Sequence, residues 1–203
     1  MAEPFVVTRY VNPGKHLGLL LALVTDLHNC DYSTLIQLMR TEHPDLILCA
    51  GDILERHDEG ASEWTIDKME AWQTLPGKRT FNDRFMWLLD RITEPHGKET
   101  DKNEDLGIEF LKSVSSIAPT FYSVGNHEWY FLNSDYQVFS DYHITLLDNE
   151  DTTVVVKGKE IQIGGVSTRY DLDWLRQFSR KEGFKILMCH HPDYYRKLIK
   201  GTD

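Results

Sequence analysis

The sequence predicts an α/β fold, and three patterns carry that expectation. Short, near-continuous apolar runs of strand length alternate with amphipathic stretches of helical spacing. The first of these pieces line up as a strand–helix–strand unit. Farther along, two alternating segments joined by Lys157-Gly158-Lys159 add a hairpin, and with it a second sheet or sheet edge.

Leu17 to Thr25 and Asp45 to Ala50 are apolar nearly throughout, the pattern of strands covered on both faces of a parallel sheet. Between them Ser33 to Glu42 sets Leu35, Ile36, Leu38 and Met39 at helical spacing, and His43-Pro44 ends the helix, because the residue before proline is driven out of the α region. A helical stretch from Leu106 to Ile117 leads into a third run, Thr120 to Val124. Ile144 to Leu147 reads as a strand, Thr153 to Val156 and Glu160 to Ile163 form the hairpin, and a helix from Leu172 to Arg180 precedes a fourth run, Phe184 to Cys189.

Residues 55–105 stand apart, with 13 acidic and 8 basic residues, so they carry half of the chain's net charge of −10. Trp64, Trp72 and Trp87, with Phe81, Phe85, Leu88, Leu89 and Ile92, suggest a helical insertion on a single domain spanning 1–203. That insertion is either a solvated excursion or a cap over a site at its root.

Composition bounds the function. With 203 residues, 41% hydrophobic and 27% charged, the chain can bury a core and is not disordered. A net charge of −10 without any block of basic residues argues against stable nucleic-acid binding. Cys30, Cys49 and Cys189 are an odd and sparse set, unlike a secreted disulfide framework, which favours a reducing compartment and a cytoplasmic location. The longest apolar run, Leu17 to Val24, falls far short of the ~20 residues that span a bilayer, and Met1-Ala2-Glu3-Pro4 lacks the positive start of a signal peptide. An anchor removed upstream would leave no trace here.

All four apolar runs end in residues that bind metals: Asp26-Leu27-His28, Gly51-Asp52, Gly125-Asn126-His127-Glu128 and His190-His191-Pro192. In an open α/β sheet, ligands bind outside the carboxyl ends of the strands. If Asp26 and His28 extend the strand, residues i and i+2 point the same way and converge on one ion. Asp52 follows a glycine that allows close backbone approach and could bridge two cations, while Asn126 offers a neutral carbonyl oxygen. Imidazole, carboxylate and amide donors together suit Mn, Fe or Zn. Cys49 and Cys189 lie inside apolar runs, where small buried residues belong, and Cys30 is either free or a contact to a metal. His16, His43, His57, His96 and His143 have no motif context.

In order and spacing these segments resemble the first four motifs of the calcineurin-like metallophosphoesterases, from about residue 17 to the end of the chain. Gly-Asn-His-Glu followed by His-His-Pro-Asp is similar to the bacterial YkuE/YaeI-like phosphohydrolase branch. The resemblance implies a four-layer α/β/β/α β-sandwich flanked by helices, carrying a dinuclear site for two divalent metal ions, manganese among the candidates. By the family pattern Asp26 and His28 hold one metal, Asn126 and His190 the other, and Asp52 bridges them. His127 corresponds to the catalytic histidine that protonates the departing alkoxide, and Glu55 falls where relatives carry an acid that orients it. Arg56 falls where a subset of relatives place a phosphate-binding arginine, with His57 where those have glycine. Glu128 is expected to close its loop structurally; His191 either supports His190 or is simply exposed.

The implied activity is hydrolysis of phosphate mono- or diesters by a metal-bound hydroxide, on a small phosphorylated substrate. The family also has a fifth motif, Gly-His-x-His, with a histidine for each metal, and no such motif follows His190. The resemblance therefore implies a domain cut short before its final strands, and the alternative it leaves is a non-catalytic scaffold on the same fold.

Overall fold

In a computed structural model of the chain, which describes residues 8–10, 18–56, 105–128 and 130–200, seven strands form two stacked sheets. The first sheet is all parallel, in the order β1 (Leu21–Val24), β2 (Leu46–Ala50), β3 (Thr120–Ser123), β4 (Thr145–Leu147). In the second, β5 (Glu150–Val156) runs antiparallel to β6 (Lys159–Val166), and β6 parallel to β7 (Phe184–Cys189). Lys157 and Gly158 at the hairpin tip both have positive φ, 49° and 74°, as a two-residue turn matched to the strand twist requires.

Strand alternation sorts the core into layers. Ile47, Cys49 and Tyr122 face outward onto α1 (Ser33–Glu42), α2 (Leu106–Ser115) and α3 (Asn133–Asp141), where they meet Ile36, Met39, Phe110, Leu111, Val114 and Phe139. Their neighbours Leu46, Leu48 and Phe121 face inward and pack with Ile161, Ile163 and Met188 of the second sheet. On the far side of that sheet Val166 packs with Leu175 of α4 (Leu172–Ser179) and Tyr194 of the short helix α5 (Pro192–Tyr194). Three cores between four layers give the α/β/β/α sandwich.

The helix ends follow from their sequences. His43 closes α1 in the left-handed region, its N–H donating to the Met39 carbonyl, directly before Pro44. Asp105 caps α2 and Asp171 caps α4 through their carboxylates. Helix α3 has no counterpart in the sequence reading; it carries Asn133, Ser134, Asp135 and Asp141, and its helical spacing is weak.

Strand β1 departs from expectation. It begins at Leu21 and lies at the sheet edge, with Leu21 37% and Leu23 67% exposed. Among the described residues the strands of the second sheet lie opposite β2, β3 and β4 and not β1, whose Ala22 and Val24 still pack under the helices. Apart from Glu55, Arg56 and Asp105, the insertion expected over 55–105 lies outside the described residues. Among the described residues no helix is long and apolar enough to cross a membrane.

Candidate metal centre

Register brings the motifs together. Val24 pairs with Cys49, and Ala50 with Ser123, so the chain leaves β1, β2 and β3 at the same sheet edge. The loops that follow carry Asp26 and His28, then Asp52, then Asn126 and His127. From the second sheet, His190 follows Cys189 at the end of β7 and reaches across to them.

These loops are locked in unusual backbone shapes. Asp26, His28 and Asp52 all lie in the left-handed region, at φ 56°, 47° and 55°. Each such residue costs about 1–3 kcal/mol, a strain that gathers at functional sites. Asp26 and His28 therefore lie beyond β1 in a bend, and strand alternation is not what aims them. Backbone bonds replace it: Asp26 N–H donates to the Gly51 carbonyl at 3.2 Å and His28 N–H to the Asp52 carbonyl at 3.1 Å. Gly51 and Gly125 leave room for this meeting, since a Cβ on Gly51 would lie 2.6 Å from Gly125 Cα and one on Gly125 2.1 Å from Asp52 Oδ1.

At the centre lies Asp52, 2% exposed. Oδ1 accepts the backbone N–H of His127 at 2.9 Å, and Oδ2 lies 3.2 Å from His190 Nε2 and 3.9 Å from Nε2 of both His28 and His127. Burial disfavours its charge, but His190 and His127 outweigh that and hold the carboxyl below its usual range. His190 shows the reciprocal effect. Burial works against its charged form, yet the adjoining Asp52 carboxylate raises it to about 9 in the metal-free chain.

Two clusters of donors share Asp52: His28, Asp52 and His127 form one, and Asp26, Asp52 and His190 the other, with donor atoms within 4.8 Å of one another in each. Asn126 Oδ1 joins the second, 2.7 Å from His190 Nε2. The grouping differs from the one the resemblance implied, in which Asp26 and His28 share an ion. His28 Nε2 lies 3.7 Å from Asp26 Oδ1, so Asp26 stands between the clusters. Two imidazoles and a carboxylate on one side, and an imidazole, two carboxylates and an amide oxygen on the other, fit borderline divalent cations.

Each histidine is oriented from behind, as metal-ligating and acid–base histidines are. His190 Nδ1 lies 3.0 Å from the Ala50 carbonyl, which makes Nδ1 the protonated nitrogen and turns Nε2 inward. Glu55 does the same twice, with Oε1 2.6 Å from His28 Nδ1 and Oε2 3.0 Å from His127 Nδ1, and the two rings meet edge to face at 4.5 Å. The second contact was expected from the resemblance; the first was not.

Glu128 is 4% exposed and does far more than close its loop. It accepts the N–H groups of Asp52, Ile53, Leu54 and Gly125 and the Tyr122 hydroxyl, all within 3.1 Å. One carboxylate thus staples the Asp52 loop to the Asn126–His127 loop. Burial and the Asp52 charge push its pKa up, against the pull of those donors. Arg56 is not free to take a phosphate, because its guanidinium is engaged by Asp135, Asp105 and the Glu55 carbonyl. His191 is half-buried, its ring 4.8 Å from Tyr194 and Nε2 3.3 Å from Thr168 Oγ1. Cys30 is exposed and belongs to neither cluster; burial pushes the Cys49 thiol to about 12 and that of Cys189 to about 11, so both are inert.

No curated protein matches the chain. Residues 19–202 match the family described as calcineurin-like phosphoesterase, a span that takes in all four strand-end motifs and both donor clusters. The chain belongs to the calcineurin-like phosphoesterase family, whose members are typically metal-dependent phosphoester hydrolases.

Proposed function

We propose that the chain hydrolyses phosphate mono- or diesters at a dinuclear centre bridged by Asp52. The observation that carries this reading is that the buried Asp52 carboxylate belongs to both donor clusters. His28 would hold one ion and Asn126 with His190 the other, and Asp26, which lies between the two clusters, would complete the first as the family pattern has it. Two divalent cations there supply Lewis-acid charge for a phosphoryl group and for water activation.

The chain's own residues supply the rest. Ala50 keeps His190 Nε2 facing the site, and Asn126 adds a donor without adding negative charge. Glu55 accepts the Nδ1–H of His127 and aims the ring, so Nε2 would be the nitrogen that, once it carries the second proton of an imidazolium, hands that proton to the departing alkoxide as general acid. An acidic chain can take an anionic phosphate this way, because bound cations are the largest local charges in such a site. Three free cysteines suit a reducing, cytoplasmic setting.

Metal analysis of the purified chain, with Mn²⁺-dependent hydrolysis of p-nitrophenyl phosphate and its bis-ester, tests the reading. Near two ions per chain and activity that falls by at least about 100-fold in His127→Ala are expected, the size of a lost general acid. A chain that binds no metal and cleaves neither ester is a scaffold instead.

A further inference from the structure

Arg56 follows Glu55 and is 7% exposed. Nε and Nη2 donate to the two oxygens of Asp135 at 2.7 Å each, Nη2 donates also to Asp105, and Nη1 donates to the Glu55 carbonyl at 3.0 Å. Its backbone N–H donates to the His127 carbonyl at 2.9 Å. Asp135 is 1% exposed and also accepts the Leu132 N–H at the start of α3, while Asp105 caps α2. One guanidinium therefore ties the Glu55 backbone to two helix starts, while its own backbone is tied to the His127 loop.

We infer that Arg56 is a positioning residue that fixes Glu55 and, through it, the orientation of His28 and His127. The kinetic part of this inference rests on the phosphoesterase reading; the geometric part does not. Glu55 has freely rotating side-chain bonds and a partly exposed carboxylate, 27% accessible, yet its two oxygens must meet histidines from two different loops. Only a backbone held on both sides makes that carboxylate a fixed pivot. The planar fork of arginine does this with two parallel bonds to Asp135 and a third arm on the Glu55 carbonyl. Lysine keeps the charge but cannot reproduce the fork.

The test uses the 203-residue chain with ¹⁵N-labelled histidine, free of metal, and reads imidazole tautomers by NMR. In the wild type, His28 and His127 hold a proton on Nδ1, against Glu55, while His190 carries protons on both nitrogens, between the Ala50 carbonyl and Asp52. In Arg56→Lys, His28 and His127 move to mixed tautomers while His190, held by a main-chain carbonyl, does not. A residue that merely supports the fold would move all three or none, and either result overturns the inference. In the metal-loaded chain, Arg56→Lys lowers kcat for the bis-ester roughly 10–100-fold with little change in KM, the size typical of groups that support metal-site residues. The same substitution costs nothing further in a Glu55→Gln background; an equal loss there overturns the inference. Should Arg56→Lys not fold, Asp105→Asn keeps a helix cap and the Asp135 pair and shifts the same two histidines by less. A chain that shows the tautomer change but cleaves no ester refutes the phosphoesterase reading and leaves the role of Arg56 standing.

Discussion

The two donor clusters are anchored by different chemistry. His190 leans on the Ala50 carbonyl at the end of β2, an atom that moves only if the sheet moves, and its side chain is 9% exposed. His28 and His127 lean on a glutamate side chain, and are 35% and 23% exposed. One half of the site inherits the rigidity of the sheet, whereas the other depends on a carboxylate that must be held by its own supports. Substitutions away from the ligands should therefore disturb the histidine pair first and His190 last.

Removing the element common to both halves has the largest effect. Asp52→Asn keeps the shape of the side chain but takes away the charge that faces three imidazoles. Metal content should fall at both positions together, and affinity by at least about 100-fold, since even outer supports of metal sites cost 10–100-fold. Retention of one ion at full affinity would show that the halves are independent.

Next in size is Glu128→Gln. Oε1 and Oε2 accept three and two donors respectively, so an amide nitrogen in either place confronts at least two N–H or O–H groups. Each buried donor left unsatisfied costs about 1–3 kcal/mol, giving a loss of roughly 2–5 kcal/mol by denaturant titration. Because this staple joins the Asp52 loop to the Asn126–His127 loop, both halves should loosen, unlike Arg56→Lys. Loss of stability with intact metal binding would show that the staple serves the fold alone.

How much of this could be read in the sequence depends on the range of the interaction. Asp26, His28, Asp52, Asn126, His127 and His190 were legible because parallel strands bring their carboxyl ends to one edge, so motifs after successive apolar runs must converge. The reason offered for Asp26 and His28 was wrong in kind: both are in the left-handed region past β1, a conformation set by bonds to Gly51 and Asp52 that no local pattern announces. Helix α3 escaped notice because its start is held by Asp135 against Arg56, 79 residues away in the chain. The exposure of Leu21 and Leu23 likewise follows from which strands stack on which, while the apolar run itself reads as buried.

The smallest effect separates the halves by pH, and its sign can be worked out for the metal-free chain. His190 has a folded pKa of about 9 against an unfolded 6.5, so its contribution is fully present below pH 6.5 and is lost as pH rises toward 9. A shift of that size is worth about 3 kcal/mol at most, at 1.36 kcal/mol per unit. His191, next in the chain, is pushed by burial and by His190 down to about 4. Its contribution is present above pH 6.5 and is lost as pH falls toward 4. The two effects together place a stability maximum for the metal-free chain near pH 6.5, measurable by urea titration across pH 4 to 9. His190→Asn should remove the alkaline limb and shrink the acid limb, because burial still lowers His191 but the charge of His190 no longer does. The proton on His190 must also leave before a cation can take Nε2, so metal affinity should rise about tenfold per pH unit up to about pH 9. Calorimetry in buffers of different ionisation enthalpy reads that proton release directly. A flat affinity from pH 7 to 9 would mean that Asp52 does not charge His190, and that the main-chain anchor alone sets that half of the site.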